Sequence, residues 1–162
     1  MDCPVIRKLK YKELEACAEL IRASFATVAE QFRLTRENCP TNGAFIERAW
    51  LETEWHKGIL MHGLYCDKTM AGFMQLEQKT PEIYEMKKLA VRPECRHLGY
   101  GKAILAFAKE AAKELEAKKI TIGIIEENDI LKEWYREKGF VHTGTKKFDN
   151  LPFTAGFMEQ SI

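Results

Sequence analysis

The segment RHLGYGKA, Arg96 to Ala103, decides the fold of this chain. It follows a β-compatible run that ends in Arg92-Pro93, and it opens the clearest helical pattern in the sequence. Gly99 and Gly101 let the backbone turn tightly and approach a ligand closely. Unpaired amides at the start of the helix point the same way and favour an anion. The segment therefore predicts a phosphate-binding turn between a strand and a helix.

The spelling of this turn excludes two common nucleotide-binding motifs. A dinucleotide-binding G-x-G-x-x-G that began at Gly99 would need glycine at position 104, where the chain has Ile104. A P-loop that ended at Gly101-Lys102 would need glycine at 96 and Ser or Thr at 103, where Arg96 and Ala103 stand. Neither a Rossmann dinucleotide site nor a P-loop kinase is expected.

Apolar periodicity on both sides of the turn predicts an α/β domain. The run from Gly99 to Glu116 carries an apolar stripe at helical spacing, with lysines and glutamates outside it. The nearly all-apolar run Ile120 to Ile125 has the length of a strand that is covered on both faces. With the run Ile83 to Val91 before the turn, these segments predict one central βαβ unit with two parallel strands.

The remaining segments predict a mixed, mostly antiparallel sheet with helices on both faces. Ile59 to Cys66 and Met70 to Gln78 flank a three-residue polar connection and suit a hairpin. The other expected elements are a strand near Val5 to Leu9, a helix through Leu14 and Phe25, a mobile aperiodic connection over 26–43, a helix ending near Gly58, a helix from Asn128 to Lys138, and strands at Phe140 to Phe148 and Phe153 to Met158. We expect a single domain over residues 1–162.

Composition and charge narrow the classes of function. Twenty-five Lys and Arg against 24 Asp and Glu leave a net charge of +1, which argues against a nucleic-acid partner. The longest purely apolar run, Ala103 to Ala108, is far shorter than the roughly 20 residues that span a bilayer. Met1 to Arg7 does not have the features of a signal peptide. The five cysteines have no metal-ligand spacing and predict reduced thiols. We expect a cytoplasmic protein with no metal and no membrane association.

Four features in order along the chain resemble the GNAT superfamily of acetyl-CoA-dependent N-acetyltransferases. Arg96 to Gly101 spells R-x-x-G-x-G, which is similar to the family's pyrophosphate-binding signature. Leu89-Ala90-Val91 resembles the strand before that signature, and Asn128 follows the next strand, where the family often has Asn. Tyr135 to Phe140 looks like the family's Y-x-x-x-G-F closing helix. The resemblance is strong from Tyr84 to Phe140 and implies a single GNAT-like domain.

The resemblance implies acetyl-CoA as cosubstrate and a set of residues that bind it. The backbone amides of the turn would hold the pyrophosphate, with Arg96 adding charge nearby. The implied cofactor-binding residues are Leu89, Ala90, Val91, Arg96, His97, Leu98, Gly99, Tyr100, Gly101, Lys102 and Asn128. A backbone amide near Leu89 would stabilise the oxyanion where the two parallel strands separate.

Two side chains are candidates for proton transfer. In some GNAT enzymes the general base is a Glu six residues before the last apolar residue of this strand, and Glu85 stands six before Val91. Strand alternation places Glu85 on the same face as Leu89 and Val91. Glu85 is either this base or an exposed carboxylate, with a water relay as the alternative base. Tyr135 matches the family's general acid for the departing thiolate, or it is a core aromatic.

The implied activity is acetyl transfer to a primary amine of a small molecule or peptide. The acceptor is expected to be selected by residues 26–43 and by the loop Asp149 to Pro152. Three alternatives remain open: a longer acyl-CoA donor, a non-catalytic CoA-binding module, and a structural partner protein that does not bind CoA. A homodimer is compatible with the sequence.

Overall fold

The structure, a computed structural model, describes residues 3 to 162. Its helices and strands follow in the order β1 (Val5–Lys8), α1 (Leu14–Gln31), α2 (Arg48–His56), β2 (Leu60–Cys66), β3 (Thr69–Thr80), β4 (Ile83–Val91), α3 (Tyr100–Glu114), β5 (Lys119–Ile125), α4 (Asp129–Glu137), β6 (Val141–Lys147) and β7 (Thr154–Ser161). Met1 and Asp2, which contributed to the argument against a signal peptide, lie outside the described residues. Within residues 3–162, no helix is long and apolar enough to cross a membrane.

One seven-stranded sheet organises the domain, in the order β1-β2-β3-β4-β5-β7-β6. Only β4 and β5 are parallel, and α3 connects them, while each of the other neighbouring pairs is antiparallel. The expected α/β fold with a mixed, mostly antiparallel sheet and one central βαβ unit is confirmed.

Helices cover both faces of this sheet, and each face has its own core. On one face, Ile104, Leu105 and Ala108 of α3 pack against Met74 and Leu76 of β3. On the other face, residues of α1 and Leu51 of α2 pack with Phe73 and Ala90. Below, these are called the α3 face and the α1 face.

Helix α1 is longer than the sequence analysis predicted. It continues to Gln31, so the expectation of an aperiodic connection from residue 26 is wrong for its first six residues. The segment Ala26 to Gln31 contains neither glycine nor proline, and its Ala29 packs with Leu34 and Cys39 in a third, smaller core. The added length brings the end of α1 over the edge of β4 and β5, where the site described below lies.

A β-bulge in β4 reverses the side-chain alternation that the sequence predicts. Lys88 has a φ of +54°, and the register with β3 shifts between the pairs Gln75–Lys87 and Phe73–Ala90. The prediction that Glu85 shares a face with Leu89 and Val91 is therefore wrong. Glu85 lies on the α1 face, opposite Glu77 of β3, whereas Leu89 and Val91 pack on the α3 face. One extra residue between them inverts the pattern.

The parallel strands separate after a short ladder. β4 and β5 pair only at Ile83–Lys119, Tyr84–Ile120 and Glu85–Thr121. Beyond these pairs, β4 runs alongside β3 while β5 stays paired with β7 through Ile125. The separation expected from the family resemblance is therefore present, and it begins directly after Glu85.

Glu13 joins the first segments of the chain, and its carboxylate accepts four hydrogen bonds. The two terminal guanidinium nitrogens of Arg7 donate at 3.0 Å, the Lys10 amide at 2.7 Å and the Tyr65 hydroxyl at 3.0 Å. The Arg7 side chain is the largest influence that lowers the pKa of Glu13, to about 2 from an ordinary 4.5.

We expect Glu13→Gln to lower the free energy of unfolding at pH 7 by about 1.5–3 kcal/mol, since the bonds are charge-assisted. Because the pKa of Glu13 is lowered in the folded state, the ionised carboxylate stabilises the fold at pH values above its ordinary pKa of 4.5. This stabilisation is lost as the pH falls towards 2. The difference between the two proteins in urea unfolding should therefore shrink between pH 5 and about 2. Glu110→Gln, at an exposed pair with Lys113, is the control and should change little. Equal stability of Glu13→Gln and the natural protein at pH 7 would contradict this.

Candidate active site

A cleft of about 460 Å³ opens where β4 and β5 separate. Helices α1 and α4, the two parallel strands and the start of β7 surround it. Its lining residues are Ser24, Phe25, Val28, Asn42, Glu85, Met86, Lys87, Lys88, Leu89, Arg96, Ile122, Gly123, Ile124, Ile125, Asn128, Leu131, Tyr135, Phe153 and Ala155. Five of the predicted site residues therefore meet in one place: Glu85, Leu89, Arg96, Asn128 and Tyr135.

The cleft reaches both faces of the sheet through the gap between the strands. Leu89, Leu131 and Tyr135 approach it from the α3 face, where they pack with the larger core. Phe25 approaches from the α1 face, and Glu85 lies on the same side. The two candidates for proton transfer thus lie on opposite faces of the gap.

The turn before α3 has the form predicted from its glycines. His97 and Gly99 have φ values of +65° and +83°, and Gly99 is the residue that precedes the first turn of α3. Within residues 3–162, the six successive amides from His97 to Lys102 donate to no protein atom, and the next amide, that of Ala103, bonds to the Gly99 carbonyl. A helix start leaves about four amides unpaired, so the turn adds two more. Such a concave row of donors can hold an anion.

Arg96 is tied to α1. Its guanidinium donates to the Ser24 carbonyl at 2.9 Å and to the Thr27 hydroxyl at 3.1 Å. The Ser24 hydroxyl also accepts the Val91 amide at 3.3 Å. Arg96 therefore contributes its charge beside the turn while its side chain fastens the turn to α1. Ser24 is a site residue that the sequence analysis missed.

Tyr135 is buried between its neighbours and borders the cleft. It is 5% exposed and packs edge-on against Trp134 and Phe140 at centroid distances of 5.0 and 5.3 Å. In the described part of the chain its hydroxyl has no side-chain or backbone partner, and burial raises the pKa of the phenol. The side chain is part of the core, with its hydroxyl left free for a ligand in the cleft.

Glu85 lies at the point where the parallel ladder ends. It is about one-quarter exposed, and its carboxylate is 3.6 Å from the Lys79 ammonium. Lys79 also contacts Glu77, and Glu77 contacts Lys87, so Glu85 ends a row of alternating charges across β3 and β4. The carboxylate contacts this row through Lys79 and lines the cleft.

The other predicted cofactor residues have side chains that pack in the core, begin a helix or lie outside the cleft lining. Ala90 is buried in the core of the α1 face, and the Val91 amide bonds to Ser24. Asn128 is buried and accepts the Leu131 amide at 3.2 Å, so its side chain begins α4 and orients the helix that carries Tyr135. Lys102 is exposed outside the cleft lining.

The residues missed by the sequence analysis lie mainly on α1 and at the entrance to β7. Ser24, Phe25 and Val28 continue the helical spacing of α1, which is indistinguishable from core periodicity in the sequence. Phe153 and Ala155 come from the segment after the β6–β7 loop. Gly43 accommodates the Phe25 ring, because a Cβ at Gly43 would lie 2.6 Å from Cδ2 of that ring.

This combination defines an α/β domain with an amide-lined turn beside a separated pair of parallel strands. The family model of the acetyltransferase (GNAT) family matches residues 20–140. A relative from Lactobacillus delbrueckii subsp. lactis, described as an uncharacterized N-acetyltransferase in the pepI 3' region, is 28% identical over 134 residues, which cover 75% of this chain and 76% of that protein. The chain belongs to the GNAT family of acetyltransferases.

Solved structures share the same fold. The ribosomal-protein-S18-alanine N-acetyltransferase of Escherichia coli aligns with a TM-score of 0.79 at 15% identity, covering 99% of this chain and 94% of that chain. The PaiA N-acetyltransferase of Thermoplasma acidophilum, solved in complex with coenzyme A, aligns with a TM-score of 0.75 at 20% identity, covering 99% of this chain and 100% of that chain. The fold expected from the sequence is therefore that of known acetyltransferases.

Proposed function

We propose that this protein transfers an acetyl group from acetyl-CoA to a primary amine of a small molecule or peptide, by direct attack of the amine on the thioester. The observation that carries the proposal is the row of unpaired amides from His97 to Lys102 beside the gap between β4 and β5. Family membership and the coenzyme A complex of the Thermoplasma neighbour support the choice of donor. We propose residues 1–162 as one N-acetyltransferase domain.

The turn fits the pyrophosphate of acetyl-CoA. An anion at the turn would accept hydrogen bonds from the amides of His97 to Lys102. The positive end of the α3 dipole would add to the attraction. Arg96 would add charge beside the turn, where its guanidinium bonds to the Ser24 carbonyl of α1, and Leu89 to Val91 would lie along the rest of the cofactor. Asn128 would contribute by orienting α4.

The gap in the sheet suits attack on the thioester carbonyl, because the amine can approach from one face and the thiol can depart on the other. On the α1 face, Glu85 would accept a proton from the ammonium form of the acceptor, directly or through water. The amine nitrogen then bonds to the acetyl carbon, the carbon–sulfur bond breaks, and the extra proton on the nitrogen passes to solvent to leave the neutral amide. β5 does not pair with the Leu89 region of β4, so the Leu89 amide can stabilise the negative charge on the acetyl oxygen.

Tyr135 would stabilise the departing sulfur from the α3 face. Its raised pKa keeps the phenol protonated at every working pH, so it is always a donor. Full transfer of its proton to a thiolate, whose conjugate thiol has a pKa of about 8.5, is uphill. We therefore assign the hydroxyl a hydrogen bond to the sulfur, with the thiol proton completed from solvent.

We expect Glu85→Gln to lower kcat/KM by about 10²-fold or more, and most at low pH, because the neutral amine is then scarcest. Acetyl-CoA affinity should stay within about twofold. The pH dependence of initial rates at amine concentrations well below KM measures this directly.

Glu77→Gln is the matched control for Glu85. Glu77 lies opposite Glu85 in the ladder and belongs to the same row of charges, but it does not line the cleft. Its variant should keep nearly full activity. Equal losses in both variants, or a loss in Glu85→Gln that does not depend on pH, would assign Glu85 to structure.

A further inference from the structure

The charges around the cleft are unsuited to an acceptor that carries several amines. Among the described residues that line it, the ionised side chains are three cations, Lys87, Lys88 and Arg96, and one carboxylate, Glu85. Within residues 3–162, Arg96 bonds only to uncharged oxygens of Ser24 and Thr27, and no carboxylate of that part of the chain pairs with it. A second ammonium on the acceptor would therefore find no second carboxylate among these lining residues to pair with.

The nearby carboxylates are already occupied. Both oxygens of Glu54 accept the Lys88 ammonium, at 3.0 and 2.9 Å, and that ammonium also donates to Gln75. This cluster is largely buried, with the Lys88 and Glu54 side chains 20% and 15% exposed. Glu77 is shared between Lys79 and Lys87. Glu85 also contacts a lysine, Lys79 at 3.6 Å, but that lysine is half exposed, and Glu85 is the one carboxylate that lines the cleft within residues 3–162.

The wall opposite these charges is apolar and held in place. Phe25 and Val28 come from α1, and Ile125 and Phe153 from the other side of the gap. Ile125 and Phe153 also pack against the small core of Ala29, Leu34 and Cys39, which fixes the wall to the end of α1. Burial of carbon atoms against an apolar surface of this kind is favourable, whereas a charged group there would lose its hydration without gaining a hydrogen bond.

We propose that the acceptor is a primary monoamine with an uncharged, apolar body next to the amine. This rests on the proposed acetyltransferase function and adds the class of its acceptor. The amine would lie against Glu85, with the body between Phe25, Val28 and Phe153. Polyamines, aminoglycosides and lysine-rich peptides are disfavoured as acceptors.

The test measures thiol release from acetyl-CoA with 2-phenylethylamine and n-hexylamine against spermidine and kanamycin. The expected kcat/KM is at least tenfold higher for the two apolar monoamines. Phe153→Ala should raise the KM for 2-phenylethylamine by about tenfold and leave the KM for acetyl-CoA unchanged, and Phe153→Leu should restore most of the loss.

Phe148→Ala is the matched control, because Phe148 lies in the same β6–β7 connection, under the Lys146 ammonium at 4.7 Å, and does not line the cleft. It should leave both KM values unchanged, and melting temperatures show that each variant folds. Faster turnover of spermidine or kanamycin, or an unchanged KM in Phe153→Ala, would overturn the inference while leaving acetyl transfer intact.

Two further outcomes concern the proposed function as well as this inference. Acetyl-CoA binding without thiol release for either class of amine would indicate a CoA-binding module and would overturn the proposed acetyl transfer, and the inference with it. Absence of both acetyl-CoA binding and thiol release would overturn the proposed function itself, and the inference with it.

Discussion

Replacement of Gly99 by valine is expected to lower the affinity for acetyl-CoA at least tenfold. Gly99 has a φ of +83°, which a β-branched residue adopts only with strain, so the turn should relax and its amides no longer converge. Each hydrogen bond to a charged group contributes about 1.5–3 kcal/mol, and loss of one such bond already accounts for tenfold. Equilibrium titration with acetyl-CoA measures the change.

Gly58 provides a matched control for Gly99. Its φ is +85°, and neither glycine has any atom within 4 Å of an added Cβ, so valine at either position imposes similar backbone strain. Both variants should lose about 1–2 kcal/mol of stability. Only Gly99→Val should lose acetyl-CoA affinity, because Gly58 follows α2, outside the cleft. Equal affinities of the two variants would mean that the phosphates bind elsewhere.

Tyr135→Phe is expected to lower kcat by at least about tenfold and to leave acetyl-CoA affinity nearly unchanged. The variant keeps the ring that packs against Trp134 and Phe140 and removes only a hydroxyl that has no partner within residues 3–162. A preorganised hydrogen-bond donor to developing negative charge typically contributes about 10²–10³ in rate, and water can replace part of it. Single-turnover rates with a saturating amine would report the chemical step.

Tyr84→Phe is the control for this substitution. Tyr84 is a second buried tyrosine in the same core, at 8% exposed against 5% for Tyr135, and it does not line the cleft. It should keep full turnover and a nearly unchanged melting temperature. If Tyr135→Phe also keeps full turnover, the role of Tyr135 is core packing and its hydroxyl does not take part in the reaction.

The glycine turn before α3 was predictable because it depends on local chemistry. Glycines at 99 and 101, between a strand and an amphipathic helix, permit a tight turn, and the structure has that turn, with a φ of +83° at Gly99 and amides that have no partner within residues 3–162. The apolar stripe of α3, and the side chain of Asn128 that caps the start of α4, follow equally local rules.

The bulge at Lys88 was not predictable from the sequence. Lysine has no particular preference for a φ of +54°, and here the conformation is stabilised by partners distant in sequence: the ammonium bonds to Glu54 of α2 and Gln75 of β3. Because side chains alternate with a period of two, this one inserted residue moves Glu85 to the face opposite Leu89. Tertiary contacts thus decide the faces of the site.

The apolar wall of the cleft could not be predicted from the sequence either. Phe25 and Val28 have the spacing of core residues, and Phe153 follows a loop with no regular pattern. These side chains come together only because α1 runs on to Gln31 and packs on the small third core. Residues of acceptor sites commonly come from such connections, whose shapes the sequence does not specify.

The most direct test of the account is a single reaction in which thiol release from acetyl-CoA and acetylation of the added amine are both quantified, the second by mass spectrometry. Direct transfer predicts one acetylated amine for each thiol released, and no release above background without amine. Thiol release without acetylated amine, or no turnover while acetyl-CoA binds, would contradict acetyl transfer to an amine.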